Sequence, residues 1–482
     1  MLRRRKYSVV GIVAALAVTS LSACALRTSE SPNEIHVLTV ADPFYYALQT
    51  LLPQFEKQTG IKVSMEGLDY NTLDSRSTNS FLTHQSDIDV ISPDSTWLSR
   101  FVNSGWLVNL DERIHRDRSE IKPQDFIPNV VYSGNEWNGG LYTLPVAAYG
   151  MDVLYRPDVF KALGIPEPPS KPSKSWTWQK YLQDIQKING KTVNGKKMYG
   201  TVVAGAGPQP IVHMYSQLAA SMGVQWFRSF PDTAAWNFAP QLDSAKNRAA
   251  LTLFDALYKN SPPESVNYLW FDAGTAFAQG NVGMFYWWTP YTYLVRRSSY
   301  MGTKDSSVVG KYKVAALPQQ PGVPQTVSIG NYSFGIGKYS KKKDDAWRFI
   351  KWASSAETQK KMALLPNHQF ADFARTSLYH DPDLLKVYDY LPTQLESLQA
   401  GDGKAVRPPI PNYTTIEGDY GQALNQVLAG ELTPAKALSQ VQRKSRTVLK
   451  NELYLPWKQP SRADTLAATK ALLAKLSGPG PG

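Results

Sequence analysis

The residues best placed to do chemistry lie between Tyr268 and Trp288, in the run Trp270-Phe271-Asp272-Ala273-Gly274-Thr275-Ala276-Phe277-Ala278-Gln279-Gly280-Asn281-Val282-Gly283-Met284-Phe285-Tyr286-Trp287-Trp288. A helix over Ala273 to Gln279, stopped by Gly280, leads into a strand over Val282 to Tyr286, which delivers Trp287 and Trp288 into a loop. A tryptophan pair at a strand end suits stacking on the C–H face of a sugar ring, while nearby amides and carboxylates hydrogen-bond its hydroxyls. One tryptophan in the core covered by the other is the bland alternative. Enzymatic constellations are missing. The six histidines are scattered, with no H-E-x-x-H pair, and a single cysteine leaves no Cys-rich metal site. No G-x-S-x-G elbow, P-loop or complete dinucleotide loop occurs. A glycosidase needs only two carboxylates, and nothing singles out a pair among the 40 acidic residues. A glycan-cleaving enzyme therefore stays open as a reading, with no cofactor and no metal expected.

The elements around this stretch alternate in type. Glu34 to Val40 reads as a strand, Tyr46 to Thr59 as a helix stopped by Gly60, and Ile61 to Met65 as a second strand. This β-α-β opening belongs to a parallel sheet. Asp87 to Asp94 reads as a short buried strand whose loop carries Asp94, followed by a helix over Ser95 to Val102. Loops at the carboxyl ends of parallel strands are where open α/β sheets bind ligands. Leu141 to Val146 and Gly150 to Tyr155 read as strands flanking an irregular aromatic stretch at Ala147 to Tyr149. Trp176 to Ile188 reads as a helix. Capping-box patterns start at Ser354 and Ser461.

The chain has 482 residues, 43% of them apolar, enough for a large core and for two to four domains. Its 56 aromatic residues are an unusually rich allotment. Arg3, Arg4, Arg5 and Lys6 precede an apolar run from Val9 to Val18, too short to span a bilayer. Leu21-Ser22-Ala23-Cys24 follows and is similar to the bacterial lipobox, in which the cysteine is lipidated and becomes the first residue after cleavage. Residues 1–23 are then a lipoprotein signal peptide and 24–33 a flexible tether. Loss of the signal lowers the formal charge from +12 to +8. The remaining basic residues are dispersed, and Lys341-Lys342-Lys343 is followed at once by Asp344-Asp345. Nucleic acid is not an expected partner.

Four separated stretches agree on one resemblance. They are the lipobox; Leu144-Pro145 through Tyr155-Arg156-Pro157 to Ile165 with Trp176-Thr177-Trp178; Ala276 to Met284; and Ala316-Leu317-Pro318, Gly330 to Gly337 and Asp345-Ala346-Trp347 to Gln359. Together they resemble the extracellular solute-binding proteins of bacterial carbohydrate ABC importers. The resemblance implies an α/β chain of two lobes, a Venus-flytrap fold with a hinge and a central ligand cleft. Lobe one would comprise 34–146 plus 318–366, and lobe two 147–317 plus 367–482. Carried over residue by residue, it implies ligand contacts from Asp94, with Trp97 three residues on; from Tyr149 after the Leu-Pro; from Trp287 and Trp288; from Asn331 and Tyr332 after Gly330; from Arg375; and from Asp42 and Tyr45 in the first loop. Phe44-Tyr45-Tyr46 and Tyr149 are more aromatic and less charged than in maltose-type members, which points away from maltodextrin.

The function implied is a lipid-anchored, non-enzymatic binding component that captures a sugar, oligosaccharide or polyol. Its partners would be that ligand, membrane permease subunits and the bilayer reached through Cys24. It would act as a monomer on the periplasmic or extracellular face of the cell envelope. A ligand of another class, an anionic solute, would need Arg296-Arg297 or Arg375 to face the cleft.

Overall fold

The computed structural model describes residues 33–230, 237–296, 306–366, 370–450 and 465–478. The signal peptide, Cys24, the tether, Arg297 and the Ser461 capping pattern lie outside the described residues. Eight strands build two sheets: β1 (Glu34–Val40), β2 (Lys62–Leu68), β3 (Val90–Ile91), β4 (Leu144–Tyr149), β5 (Met151–Tyr155), β6 (Met284–Trp288), β7 (Lys313–Ala315) and β8 (Gly330–Ile336). The first sheet runs in the order β2-β1-β3-β8-β4 and the second in the order β6-β5-β7. The chain is a two-lobe α/β protein, one lobe around each sheet.

In lobe one, β1 pairs in parallel with β2 and β3, and β8 runs antiparallel to β3 and β4. Ile35, Val37 and Leu38 are buried on β1, as a strand covered on both faces requires. Helix α1 (Pro43–Thr59) returns the chain to β2. Its end is Gly60 at φ 72°, whose N–H reaches Glu56 O, a left-handed cap that glycine adopts without a Cβ clash. Helix α2 (Tyr70–Leu82) is capped by Asp69, which accepts hydrogen bonds from the Asn71 and Thr72 amides.

Passage between the sheets is short. Gly150 alone separates β4 from β5, and its backbone exchanges hydrogen bonds with Thr289 just after β6 (3.3 and 2.9 Å). A second passage runs from β7 to β8. Lobe two is completed by α3 (Gln209–Ser221), α4 (Trp270–Ala278), α5 (Tyr413–Leu428) and α6 (Pro434–Lys450), with α5 packed on both α3 and α6.

Four expectations are corrected here. Ala147 to Tyr149 are not irregular: they continue β4 and pair with Gly330 to Tyr332 of β8. Trp287 and Trp288 belong to β6 itself, because pairing with Asp152 and Met151 extends the strand beyond Tyr286. Residues 367–482 do not all lie in lobe two. Phe126 bridges to Arg375, and the final helix α7 (Leu466–Ser477) packs on the 111–134 helices of lobe one. The capping serine at the first of the two boxes is Ser355, which accepts from the Thr358 amide, one residue beyond the expected Ser354.

Candidate functional site

A cavity of about 180 Å³ opens between the lobes at the carboxyl ends of the parallel strands. Lobe one contributes Asp42 after β1, Asp69 and Tyr70 after β2, Asp94 after β3, and Gly330, Asn331 and Tyr332 from β8. Lobe two contributes His213 from α3, Trp270 and Phe271 from the start of α4, and Trp288, Pro290 and Tyr291 from the end of β6. Tyr149 stands at the passage between the sheets, and Arg407 closes the floor. The size is below the roughly 300–1,000 Å³ of clefts for drug-sized ligands and suits a single small molecule.

Arg407 ties the two walls together. Its Nη2 donates to Ser95 Oγ (3.3 Å) and to Ile329 O (3.2 Å) of lobe one, and its Nη1 lies 3.6 Å from Asp94 Oδ1. On the lobe-two side, Nη1 lies 3.4 Å from His213 Nε2 and the guanidinium carbon 5.1 Å from the centre of the Trp288 ring. The arginine is fully desolvated, so its charge needs Asp94 close by. Asp94 Oδ1 also accepts from the Thr96 amide (2.8 Å) and hydroxyl (2.7 Å), the capping bonds of the turn that follows β3. Burial and the neighbouring Arg407 push the His213 pKa well below the usual histidine range, leaving the ring neutral. Trp270 Nε1 lies 3.5 Å from His213 Nδ1, and His213 Nε2 lies 3.3 Å from Glu417 Oε1. Burial raises the Glu417 carboxyl to about 8.

At the opposite end of the cavity, Tyr149 Oη donates to Asp42 Oδ1 at 3.3 Å, and burial raises Asp42 to about 7. The Tyr149 ring meets Tyr332 edge-on at 5.4 Å, and Tyr332 stacks on Phe44 at 5.1 Å. Behind Tyr149, at the passage between the sheets, Asp372 accepts from the Thr289 hydroxyl and the Gln394 amide, and Asp152 accepts from Ser397. Burial raises Asp372 to about 8 and Asp152 to about 7.

Of the sequence-derived candidates, the structure gathers Asp42, Asp94, Tyr149, Trp288, Asn331 and Tyr332 around the cavity. Asn331 turns its amide outward from it, donating to Val130 O (3.2 Å) and Asn135 Oδ1 (2.7 Å). Four candidates stand elsewhere. Trp287 points to the other face of β6, as strand alternation demands, and its Nε1 donates to Trp270 O at 3.0 Å. Trp97 is buried behind Tyr70, ring centres 4.6 Å apart. Tyr45 lies over Gly67 and Tyr46 on the outer side of α1. Arg375 is buried against the 122–126 turn, donating to Ser354 O (2.7 Å) and capping the Phe126 ring at 4.1 Å. Arg296 is likewise turned away, onto Val387 O and the Tyr388 ring. With Arg296 and Arg375 elsewhere, the anionic-ligand reading loses its two described residues.

The sequence reading missed Tyr70, His213, Trp270, Tyr291 and Arg407. The signals were weak but present. Tyr70 follows a capping Asp at a strand end, Trp270 opens the aromatic run already singled out, and Arg407 precedes Pro408-Pro409 ahead of a helix. His213 carries no local mark. Among the described residues no group of acidic, histidine or cysteine side chains is arranged to hold a metal, and no helix is long and apolar enough to cross a membrane.

The profile of the family described as bacterial extracellular solute-binding protein matches residues 41–360. A probable amino-acid ABC transporter periplasmic-binding protein of Sinorhizobium fredii is 24% identical, covering 90% of this chain and 93% of its own. A probable ABC transporter-binding protein of Deinococcus radiodurans is 24% identical over 73% of this chain and 78% of its own. Among solved structures, an ABC transporter solute-binding protein of Agrobacterium radiobacter in complex with ribitol is 28% identical. It has a TM-score of 0.76 and covers 87% of this chain and 99% of its own. One from Agrobacterium vitis with bound D-mannitol is 25% identical, with a TM-score of 0.74, covering 87% of this chain and 98% of its own.

Proposed function

This chain belongs to the bacterial extracellular solute-binding proteins and is the substrate-binding component of an ABC transporter; from that premise we propose that its interlobe cavity captures a polyol or a small sugar. The observation that carries this reading is the wall itself. Aromatic faces from both lobes, Trp288 and Trp270 against Tyr332 and Tyr149, enclose a small cavity in which Asp94 and Arg407 can engage hydroxyls. The two similar structures that hold ribitol and D-mannitol support a polyol over a longer glycan.

Capture works by closure. Arg407 contacts both walls, so a ligand bridging them favours the closed arrangement by its extra contacts there. The closed form is then what the membrane permease receives. Residues 1–24 supply the anchor, with lipid on Cys24 holding the protein at the membrane. The test is isothermal titration of the purified protein with ribitol, D-mannitol, D-sorbitol and monosaccharides. A dissociation constant of micromolar or tighter, about −8 kcal/mol, is expected for at least one. No heat and no thermal shift with the whole set refutes the reading. For the anchor, Cys24→Ala should move the protein from the membrane fraction to the soluble one, and an unchanged distribution removes it.

A further inference from the structure

The charges around the cavity do not cancel. Three carboxylates line it, Asp42, Asp69 and Asp94, against one cation, Arg407, which is committed to Asp94. His213 is neutral and adds nothing. Among the described residues no Lys, Arg or His lies within ion-pair distance of Asp42 or Asp69. Asp69 is exposed at the cavity mouth and satisfied as the cap of α2. Asp42 is half-buried, with the Tyr149 hydroxyl as its hydrogen-bond partner. A carboxylate withdrawn from water without a counter-ion is costly unless something else supplies the charge.

The surroundings of Asp42 are of one kind. Tyr149 donates its hydroxyl to Asp42 and meets the Tyr332 ring edge-on, and Tyr291 lines the cavity from lobe two. The negative faces of aromatic rings attract a cation, most strongly where water is excluded. Tyr70 also lines the cavity, and its hydroxyl, on a side chain nine-tenths buried, has no hydrogen-bond partner among the described residues. The cavity is therefore polarised. The Arg407–Asp94 end is neutral overall and rich in hydrogen-bonding groups, and the Asp42 end is aromatic and negative.

We propose that the ligand is a polyol or sugar bearing an ammonium group, with the cation seated between Asp42 and the tyrosine rings and the hydroxyls towards Asp94, Arg407 and Tyr70. This rests on the polyol reading above and narrows it. A bare metal ion is disfavoured because, among the described residues, Asp42 belongs to no group of three or more acidic, histidine or cysteine side chains that could hold one, whereas an alkylammonium needs one carboxylate and ring faces.

The test uses matched pairs that differ only in the amine: 1-amino-1-deoxy-D-sorbitol against D-sorbitol, and 1-amino-1-deoxy-D-mannitol against D-mannitol. They are titrated by calorimetry into the purified protein at about pH 7.5, where an alkylamine is protonated. The amine should bind about ten-fold tighter than its neutral partner in at least one pair. The ratio should fall to about one in Asp42→Asn and persist in Asp42→Glu, which keeps the charge. Added salt should weaken the amine and spare the neutral polyol. Neutral polyols that bind as well as the amines overturn this inference and leave the polyol reading standing. So does an amine advantage that survives in Asp42→Asn. If no member of either pair binds, this inference falls, and the polyol reading is decided by ribitol and the monosaccharides of the wider set.

Discussion

Trp287 and Trp288 are neighbours in sequence, yet the structure assigns them opposite consequences. Pairing with β5 holds both in β6, so their side chains point to opposite faces. Trp287 is fully buried, donates to Trp270 O and stacks on Tyr291 with ring centres 6.1 Å apart. Trp287→Phe keeps a ring in place but loses a hydrogen bond worth about 1 kcal/mol and opens a cavity costing roughly another 1 kcal/mol. The unliganded protein should lose about 2 kcal/mol of unfolding free energy, with affinity changed less than about three-fold because no cavity contact is removed. Trp288→Ala removes a face the ligand would lie on. About 60 Å² of ring surface covered by ligand is worth about 1.5 kcal/mol, and loss of support for Arg407 adds roughly 0.5–1 kcal/mol. Affinity should then drop by about 2–2.5 kcal/mol, a 30- to 60-fold rise in dissociation constant. Titration calorimetry with the bound polyol and urea unfolding of the apoprotein separate the two effects. A Trp288→Ala protein that binds within three-fold of wild type, beside a Trp287→Phe protein that loses ten-fold or more, would refute the facing inferred from strand alternation.

Other consequences are equally open to measurement. Asp372 is raised to about 8 from 3.8, so the folded chain holds a proton that the unfolded chain releases between about pH 4 and 8. Stability should fall as pH rises through that window, and Asp372→Asn should flatten the slope by about 1.4 kcal/mol per pH unit in denaturant titrations; an unchanged slope counts against a protonated Asp372. Arg375→Met should lower unfolding free energy by about 3 kcal/mol, since Asp125 loses its buried partner, while ligand affinity stays within two-fold. A large affinity loss in that variant would return Arg375 to the site. In Gly421→Ala the new Cβ would come within 2.2 Å of Pro208 O, so the melting temperature should fall as α5 and the 206–208 loop separate.

The sequence exposes what is local and hides what is not. β1, α1 and Gly60 are written in alternation, helical spacing and a single left-handed position, and they appear where those signals put them. Asp94 is visible because a short apolar strand ends just before it. Arg407 is 312 positions from the Ser95 it bonds, and no periodicity joins them. The Trp pair fails differently. The aromatic run is conspicuous, but which indole meets the cavity depends on whether the strand ends at Tyr286 or Trp288. Two extra residues of pairing with Asp152 and Met151 decide that, and pairing across a sheet is a tertiary fact. Arg375 shows the same limit, since its partners, the 122–126 turn and Ser354, are distant in sequence from it and from each other.

The placement of α7 on the lobe that also holds β1 and α1 has an optical consequence. Two dyes on exposed sites of lobe one, at Gln58 of α1 and Lys470 of α7, would keep a fixed separation whatever the lobes do. A dye at Lys246, on the 245–258 helix of lobe two, paired with one at Gln58 would report each capture as a change in energy transfer. The silent pair then serves as an internal standard on the same molecule, and a sensor built by labelling α1 and α7 alone would be blind to its own ligand.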